Sequence, residues 1–136
     1  MQLRPGNNLV AFLTSAIVLL GIPPLIAQQP TFRNAPASAA ADKNPYAGNA
    51  TAAAAGKKLY LQDCAQCHGK NLQGMGPAPT LDSASVRKAN AGELLWFITS
   101  GKPSSGMPSW GNLSKQQRWQ IVTFLESGSG AKTATK

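Results

Sequence analysis

The stretch CAQCHGK, residues 64–70, contains both cysteines of the chain, Cys64 and Cys67, and its only histidine, His68. Thiolate sulfur and imidazole nitrogen are ligands that bind transition metals and metal-containing groups. This chain of 136 residues places every such side chain within one short segment. The segment therefore predicts that one group is bound here by all three side chains together.

The spacing C-x-x-C-H is the one used for covalent haem attachment. Each thiol adds to one vinyl group of the porphyrin, and the adjacent histidine ligates the iron as its proximal ligand. A structural zinc site uses four Cys or His ligands, and this chain has three. A thioredoxin-like dithiol needs a βαβ surround, and a disulfide between Cys64 and Cys67 would close too short a loop to contribute much. We therefore predict one haem c with its iron, bound by Cys64, Cys67 and His68.

Helical periodicity and capping residues predict three helices, over about 51–63, 91–100 and 115–126. The expected caps are Asn49, the Asn90–Glu93 capping box and the Ser114–Gln117 capping box. One more helical turn is expected near 83–88. No segment alternates apolar and polar residues for long enough to predict a strand, so the fold class is all-α. Gly56 would cost the first helix about 1 kcal/mol relative to Ala, which predicts that another backbone approaches it closely.

The two ends of the chain differ in composition from its middle. Arg4, an apolar run over 9–26 and Ala27 before Gln28 predict a cleaved signal peptide over 1–27 and export to the periplasm. An uncleaved membrane anchor is the alternative, although Pro23 and Pro24 would interrupt its helix. Residues 28–43 are predicted to be a flexible Ala/Pro-rich tether and residues 129–136 a flexible tail. The folded domain is then 44–128, which is small enough to benefit from a large apolar group at its centre.

The chain is basic, with 13 Lys and Arg residues against 5 Asp and Glu residues and a formal net charge of +8. Its bases are scattered, and no run of them is longer than Lys57–Lys58. That distribution does not predict nucleic-acid binding. It is typical of a protein that is steered towards acidic docking faces on protein partners, or of a basic surface that only aids solubility.

Residues 44–128 resemble a class I c-type cytochrome, close to the small bacterial carriers with one haem. The matching segments are the helix that runs into CAQCHG, then GPAPTL, NAGELLWFITSG, GMPSW and the C-terminal amphipathic helix. The resemblance implies a small cytochrome c-like helical fold wrapped around one covalently attached haem. It also implies that Gly56 and Tyr60 of the first helix contact the last helix, with Phe124 or Ile121 opposite.

The resemblance implies a methionine as the second axial ligand of the iron. Met75 follows His68 too soon in sequence to cross easily to the opposite haem face, whereas Met107 lies in a loop after a helix. Met107 in GMPSW matches the family's axial methionine; the alternative is that it only fills the core. The family also uses a proline carbonyl to accept the histidine N–H, and Pro79 matches this role best, with Pro77 as the alternative.

These residues predict a periplasmic mono-haem cytochrome that carries single electrons through His/Met-ligated iron and is not an enzyme. One alternative is a haem-containing redox subunit of a dehydrogenase or oxidase complex. Another is a haem peroxidase or gas-binding protein with a displaceable sixth ligand. The chain has no second histidine to serve on the distal side, which favours the electron carrier.

Overall fold

The structure is a computed structural model, and it describes residues 35–128. The predicted signal peptide over 1–27, the first part of the predicted tether and the predicted tail over 129–136 lie outside those residues. The domain boundaries themselves stay a prediction.

Five α-helices and two 3-10 turns form the described part of the chain. The helices are α1 Ala50–Asp63, α2 Ala65–His68, α3 Ala84–Lys88, α4 Ala91–Ser100 and α5 Lys115–Ser127, and the 3-10 turns are Ala37–Ala41 and Pro103–Ser105. Between residues 35 and 128 the only β-type pairing is two isolated bridges, Met75 with Ala78 and Lys102 with Met107. The all-α prediction is confirmed. A search of the described helices for one long and apolar enough to cross a membrane found none.

The helix ends are set by local side-chain chemistry, as the sequence predicts. The Asn49 side chain accepts a hydrogen bond of 2.9 Å from the Ala52 amide at the start of α1. At the start of α5, the Ser114 hydroxyl and the Gln117 side chain each accept the other residue's amide, at 3.1 and 2.9 Å. Helix α4 has the predicted bounds, and α5 extends one residue further than expected.

The first and last long helices, α1 and α5, pack with their backbones in close contact. A Cβ atom on Gly56 of α1 would lie 1.9 Å from the carbonyl oxygen of Gln120 in α5, so only glycine fits. One turn further along, the rings of Tyr60 and Phe124 pack with centroids 5.3 Å apart. The close approach predicted at Gly56 and the predicted contact of Tyr60 with the last helix are both confirmed.

The core lies between these helices and the segments that connect them. Its most buried large side chains are Tyr60, Leu72, Val86, Ile121 and Val122. Buried apolar side chains from α3 and α4 extend it. The core thus contains apolar residues from nearly every element of the described chain. Because Leu72 is one of them, the segment that follows His68 is anchored in the core.

Part of the segment predicted as a flexible tether packs on the domain. Its 3-10 turn, Ala37–Ala41, lies so close to α4 that a Cβ on Gly92 would be 1.8 Å from the Ala39 carbonyl oxygen. A few residues later, the Asn44 side chain donates to the Thr123 hydroxyl at 3.0 Å and to the Glu126 carboxylate at 2.8 Å. Small side chains on both sides allow this approach, so the chain enters the domain along α4 and α5.

Candidate functional site

The C-x-x-C-H segment forms a single helical turn. Cys64 caps the N-terminus of α2, and its carbonyl accepts the amides of Cys67 at 3.1 Å and His68 at 3.0 Å. Residues three and four apart in a helix project to the same side, with Cβ atoms about 5–6 Å apart. The turn ends at Gly69, whose φ of 77° is in the region that glycine adopts at little cost. The three predicted binding residues therefore share one side of one turn.

The two thiols have different surroundings. Cys64 is half-buried and Cys67 is exposed, and neither forms a disulfide. Burial raises the pKa of the Cys64 thiol to about 12, and negative charge at Asp63 and Cys67 acts in the same direction. Cys64 is therefore a neutral thiol at pH 7, which places no charge beside the core.

Tyr60 fixes the residue after His68 to α1. Its hydroxyl donates a hydrogen bond of 2.6 Å to the Gly69 carbonyl, in a fully buried position. Burial raises the pKa of this hydroxyl far above its usual value, so it stays a donor throughout the neutral range. Tyr60 therefore takes part both in the aromatic contact between α1 and α5 and in the hydrogen bond that holds the turn carrying His68.

The ring of His68 is held by the loop that follows it. Its Nδ1 lies 3.0 Å from the carbonyl oxygen of Pro79. A carbonyl can only accept, so this contact requires the proton on Nδ1 and leaves Nε2 with a free lone pair. A histidine whose second nitrogen is engaged in this way is oriented for metal ligation. The contact is made by Pro79, the first of the two predicted candidates.

The segment that carries Pro79 is fixed by a buried carbonyl. The oxygen of Leu72 accepts the Leu81 amide at 2.7 Å, the Asp82 amide at 3.2 Å and the Thr80 hydroxyl at 3.0 Å. Leu72 itself is fully buried with φ of 64°, a conformation that costs a non-glycine residue about 1–2 kcal/mol. Sequence reasoning missed this residue, since nothing local in the sequence marks a leucine for positive φ.

Met107 lies on a separate loop between α4 and α5. Its amide and carbonyl pair with those of Lys102 at 3.2 and 2.9 Å, and its side chain is half-buried. A Cβ on Gly101, where φ is 68°, would lie 2.4 Å from the Pro108 carbonyl oxygen. Met75, in contrast, is 53% exposed in a turn closed by its bond with Ala78. The structure thus brings Cys64, Cys67, His68 and Pro79 together and places Met107 on the other long loop.

Trp96 and Trp110 lie in different surroundings. Trp110 is half-buried against the core, and its amide donates to the Ile98 carbonyl at 3.0 Å. Trp96 lines an open groove of about 420 Å³ between α4 and the N-terminal 3-10 turn. That groove contains none of the predicted binding residues, so it is a separate feature of the surface.

The donor set fits a c-type haem. Two unpaired thiols are available for thioether bonds, and one imidazole presents a free Nε2 from the same helical turn. In the part of the chain that the structure describes, no group of three or more His, Cys, Asp or Glu side chains is placed to hold a metal ion. A zinc site therefore has no ligand set among residues 35–128.

A scan against protein families matches residues 51–125 to the family described as cytochrome c oxidase, cbb3-type, subunit III. Cytochrome c55X of Stutzerimonas stutzeri is 37% identical over 60 residues, which are 43% of this chain and 51% of that protein. Cytochrome c6 of Rippkaea orientalis is 37% identical over 79 residues, which are 54% of this chain and 68% of that protein. The chain therefore spans about half to two thirds of the length of these curated relatives.

Solved structures agree with the sequence relatives. The crystal structure of cytochrome cL from the marine methylotroph Methylophaga aminisulfidivorans superimposes with a TM-score of 0.54 at 28% sequence identity. The superposition covers 62% of this chain and 58% of the other. The prediction of a small cytochrome c-like helical fold with one haem is confirmed.

Proposed function

Since the chain belongs to the cytochrome c family described as cytochrome c oxidase, cbb3-type, subunit III, we propose that it carries single electrons in the periplasm through iron ligated by His68 and Met107. Its cofactor is one covalently bound haem c, which supplies a couple between ferric and ferrous iron. The observation that carries the proposal is the 3.0 Å contact between His68 Nδ1 and the Pro79 carbonyl, on the same turn as two free thiols.

In this proposal each residue has a distinct task. Cys64 and Cys67 would hold the porphyrin through thioether bonds, and His68 would bind the iron through Nε2. The Pro79 carbonyl fixes the plane of the imidazole and increases the basicity of Nε2. Tyr60 supports the turn from below by its bond to Gly69.

Met107 would supply the second side-chain ligand of the iron. A thioether stabilises the ferrous state and raises the potential relative to a second imidazole. With two side chains bound to the iron, the site would have no position for a substrate, which suits electron transfer and not catalysis. The half-buried side chain of Met107 and its position on a loop separate from that of His68 support this residue over the exposed Met75.

The charges near the site suit an acidic redox partner. Lys70 is exposed two residues after His68, and Lys102 pairs with Met107. Basic groups at both loops would favour encounter with acidic docking faces and make the rate of electron transfer fall as ionic strength rises. The proposed partners are therefore proteins with acidic surfaces around their own redox centre.

The decisive experiment compares two methionine variants of the exported protein. The wild-type protein should give a pyridine haemochrome typical of c-type haem and a low-spin spectrum with the weak methionine-to-iron charge-transfer band. Met107→Ala should retain the haem, lose that band, lower the potential and bind cyanide or azide readily, because the sixth position opens. Met75→Ala is the matched control and should resemble wild type. If the two variants behave the other way round, the ligand assignment is wrong; if the protein is colourless, the function is wrong.

The family description favours one alternative, a redox subunit held in an oxidase complex. This alternative shares the same haem site and differs in how the protein occurs in its host. Purification from the native host under mild conditions should yield a free monomeric carrier if our proposal is correct. A constant stoichiometric complex would support the alternative. The N-terminal sequence of the same material tests export, since cleavage after Ala27 should leave Gln28 as the first residue.

A further inference from the structure

The loop after α2 contacts His68 at two points. The amide of Gly74 donates to the His68 main-chain carbonyl at 2.8 Å, and the Pro79 carbonyl lies 3.0 Å from the His68 ring. One short loop thus holds both the backbone and the side chain of the proposed iron ligand. The loop runs past His68 twice, once at Gly74 and once at Pro79. The relative position of these two segments determines where the Pro79 carbonyl lies.

Gly74 is the residue at which the two segments of the loop touch. A Cβ on Gly74 would lie 2.7 Å from the Ala78 carbonyl oxygen, 2.7 Å from the Thr80 amide nitrogen and 2.8 Å from the Pro79 carbonyl carbon. All three are backbone atoms: one is the carbon of the carbonyl that faces His68, and the other two belong to the residues on either side of Pro79. Any side chain at Gly74 must therefore displace the Pro79 peptide, since the backbone cannot rotate away as a side chain can.

The Pro79 segment is also held on its far side. The Thr80 hydroxyl and the Leu81 amide both donate to the carbonyl of the buried Leu72, at 3.0 and 2.7 Å. The segment is therefore bracketed between Leu72 and Gly74. The absence of a side chain at Gly74 sets how near the carbonyl can lie to the ring.

We propose that Gly74 is a positioning residue for His68: by allowing the Pro79 peptide to lie directly against it, it sets the strength of the His68–Pro79 hydrogen bond and so tunes the balance between ferric and ferrous iron. This inference rests on the proposed function, in which His68 ligates the iron. A stronger bond to Nδ1–H makes Nε2 a better donor, which favours the ferric state. A longer bond therefore raises the reduction potential.

The test compares Gly74→Ala with Gly76→Ala in the haem-containing protein. Gly76 lies in the same loop with φ of 55°, and no atom lies within 4 Å of a Cβ built there. Both variants introduce the strain of alanine at positive φ, but only Gly74→Ala moves the Pro79 peptide. The two readouts are the exchange rate of the His68 Nδ1 proton by NMR and the reduction potential.

We expect the ring proton of Gly74→Ala to exchange at least about fivefold faster than that of wild type, the size of effect expected when one neutral hydrogen bond is lost. The ferrous-to-ferric ratio at a fixed solution potential should rise about threefold or more, where tenfold corresponds to ~59 mV for one electron. Gly76→Ala should change neither quantity. Equal effects of the two variants, or no effect of Gly74→Ala, would overturn the proposal.

A second variant tests how the Pro79 carbonyl is positioned if the folded Gly74→Ala protein does not accumulate. Thr80→Val keeps the shape of the side chain but removes the hydrogen bond to Leu72 beside Pro79, and it adds nothing near Gly74. It should shift both readouts in the same direction by a smaller amount, and wild-type values for both would reject the proposal. Wild-type protein without haem would instead refute the proposed function, so the two failures are distinguishable.

Discussion

The contact between Gly56 and Gln120 predicts that Gly56→Ala is strongly destabilising, although alanine is the better helix former. The new Cβ would lie 1.9 Å from the Gln120 carbonyl oxygen and 2.4 Å from its carbonyl carbon, whereas ordinary contact begins at 3.4 Å. Helices α1 and α5 would have to separate locally by about 1.5 Å. Both neighbours are backbone atoms of a helix, so no side-chain rotation can relieve the clash.

The expected free-energy change follows from three contributions. Overpacking against a rigid neighbour costs about 3 kcal/mol, at the upper end of the usual range. Separation of the helices also loosens the Tyr60–Phe124 ring pair, which costs about 1 kcal/mol. The better helix propensity of alanine returns about 1 kcal/mol. The net expectation is a loss of about 3 kcal/mol in the free energy of unfolding.

Urea denaturation of the haem-containing protein, followed by far-ultraviolet circular dichroism, measures this quantity. The midpoint should fall while the m-value stays the same, since the native fold and its exposed surface are retained. Ala54→Gly at an exposed position of α1 is the matched control and should cost only about 1 kcal/mol through helix propensity. A Gly56→Ala protein as stable as wild type, or more so, would refute the close packing of α1 on α5.

Four further outcomes are expected. Asn49→Ala should lower the free energy of unfolding by about 1 kcal/mol in thermal denaturation, because the Ala52 amide at the start of α1 loses its acceptor. Tyr60→Phe should cost about 1–2 kcal/mol, since the buried Gly69 carbonyl loses its donor; wild-type stability would show that this bond contributes nothing. Gly101→Ala should weaken the methionine-to-iron band while Gly106→Ala, with no atom within 4 Å of its Cβ, should not. Cys67→Ala should prevent accumulation of folded holoprotein, and a protease-resistant apoprotein would contradict this.

Local chemistry made much of this fold predictable from the sequence. Asn49 and Ser114 bind amides within three residues of themselves, so their role depends little on the rest of the molecule. Gly56 was identifiable because glycine is unfavourable inside a helix unless another chain segment needs the space. The C-x-x-C-H spacing likewise specifies its chemistry within a single helical turn.

Features that depend on distant partners were not predictable in the same way. The turn at Ala37–Ala41 has a composition typical of a linker, and its packing arises from Gly92, far along the chain. Leu72 has a positive φ in a segment whose carbonyl accepts three donors from residues 80–82. Pro77 and Pro79 have the same intrinsic preferences, and only the register of the loop against Gly74 distinguishes them.

The close contact between Gly56 and Gln120 also has a consequence for how the chain folds. Helix α1 is the first α-helix of the described residues, and the surface that complements it lies in α5, the last of them. Before α5 is in place, the apolar side of α1 has no native surface to cover it and stays exposed. Shortening the gene from its 3′ end should therefore abolish maturation abruptly once Gln120 is lost, and not in gradual steps.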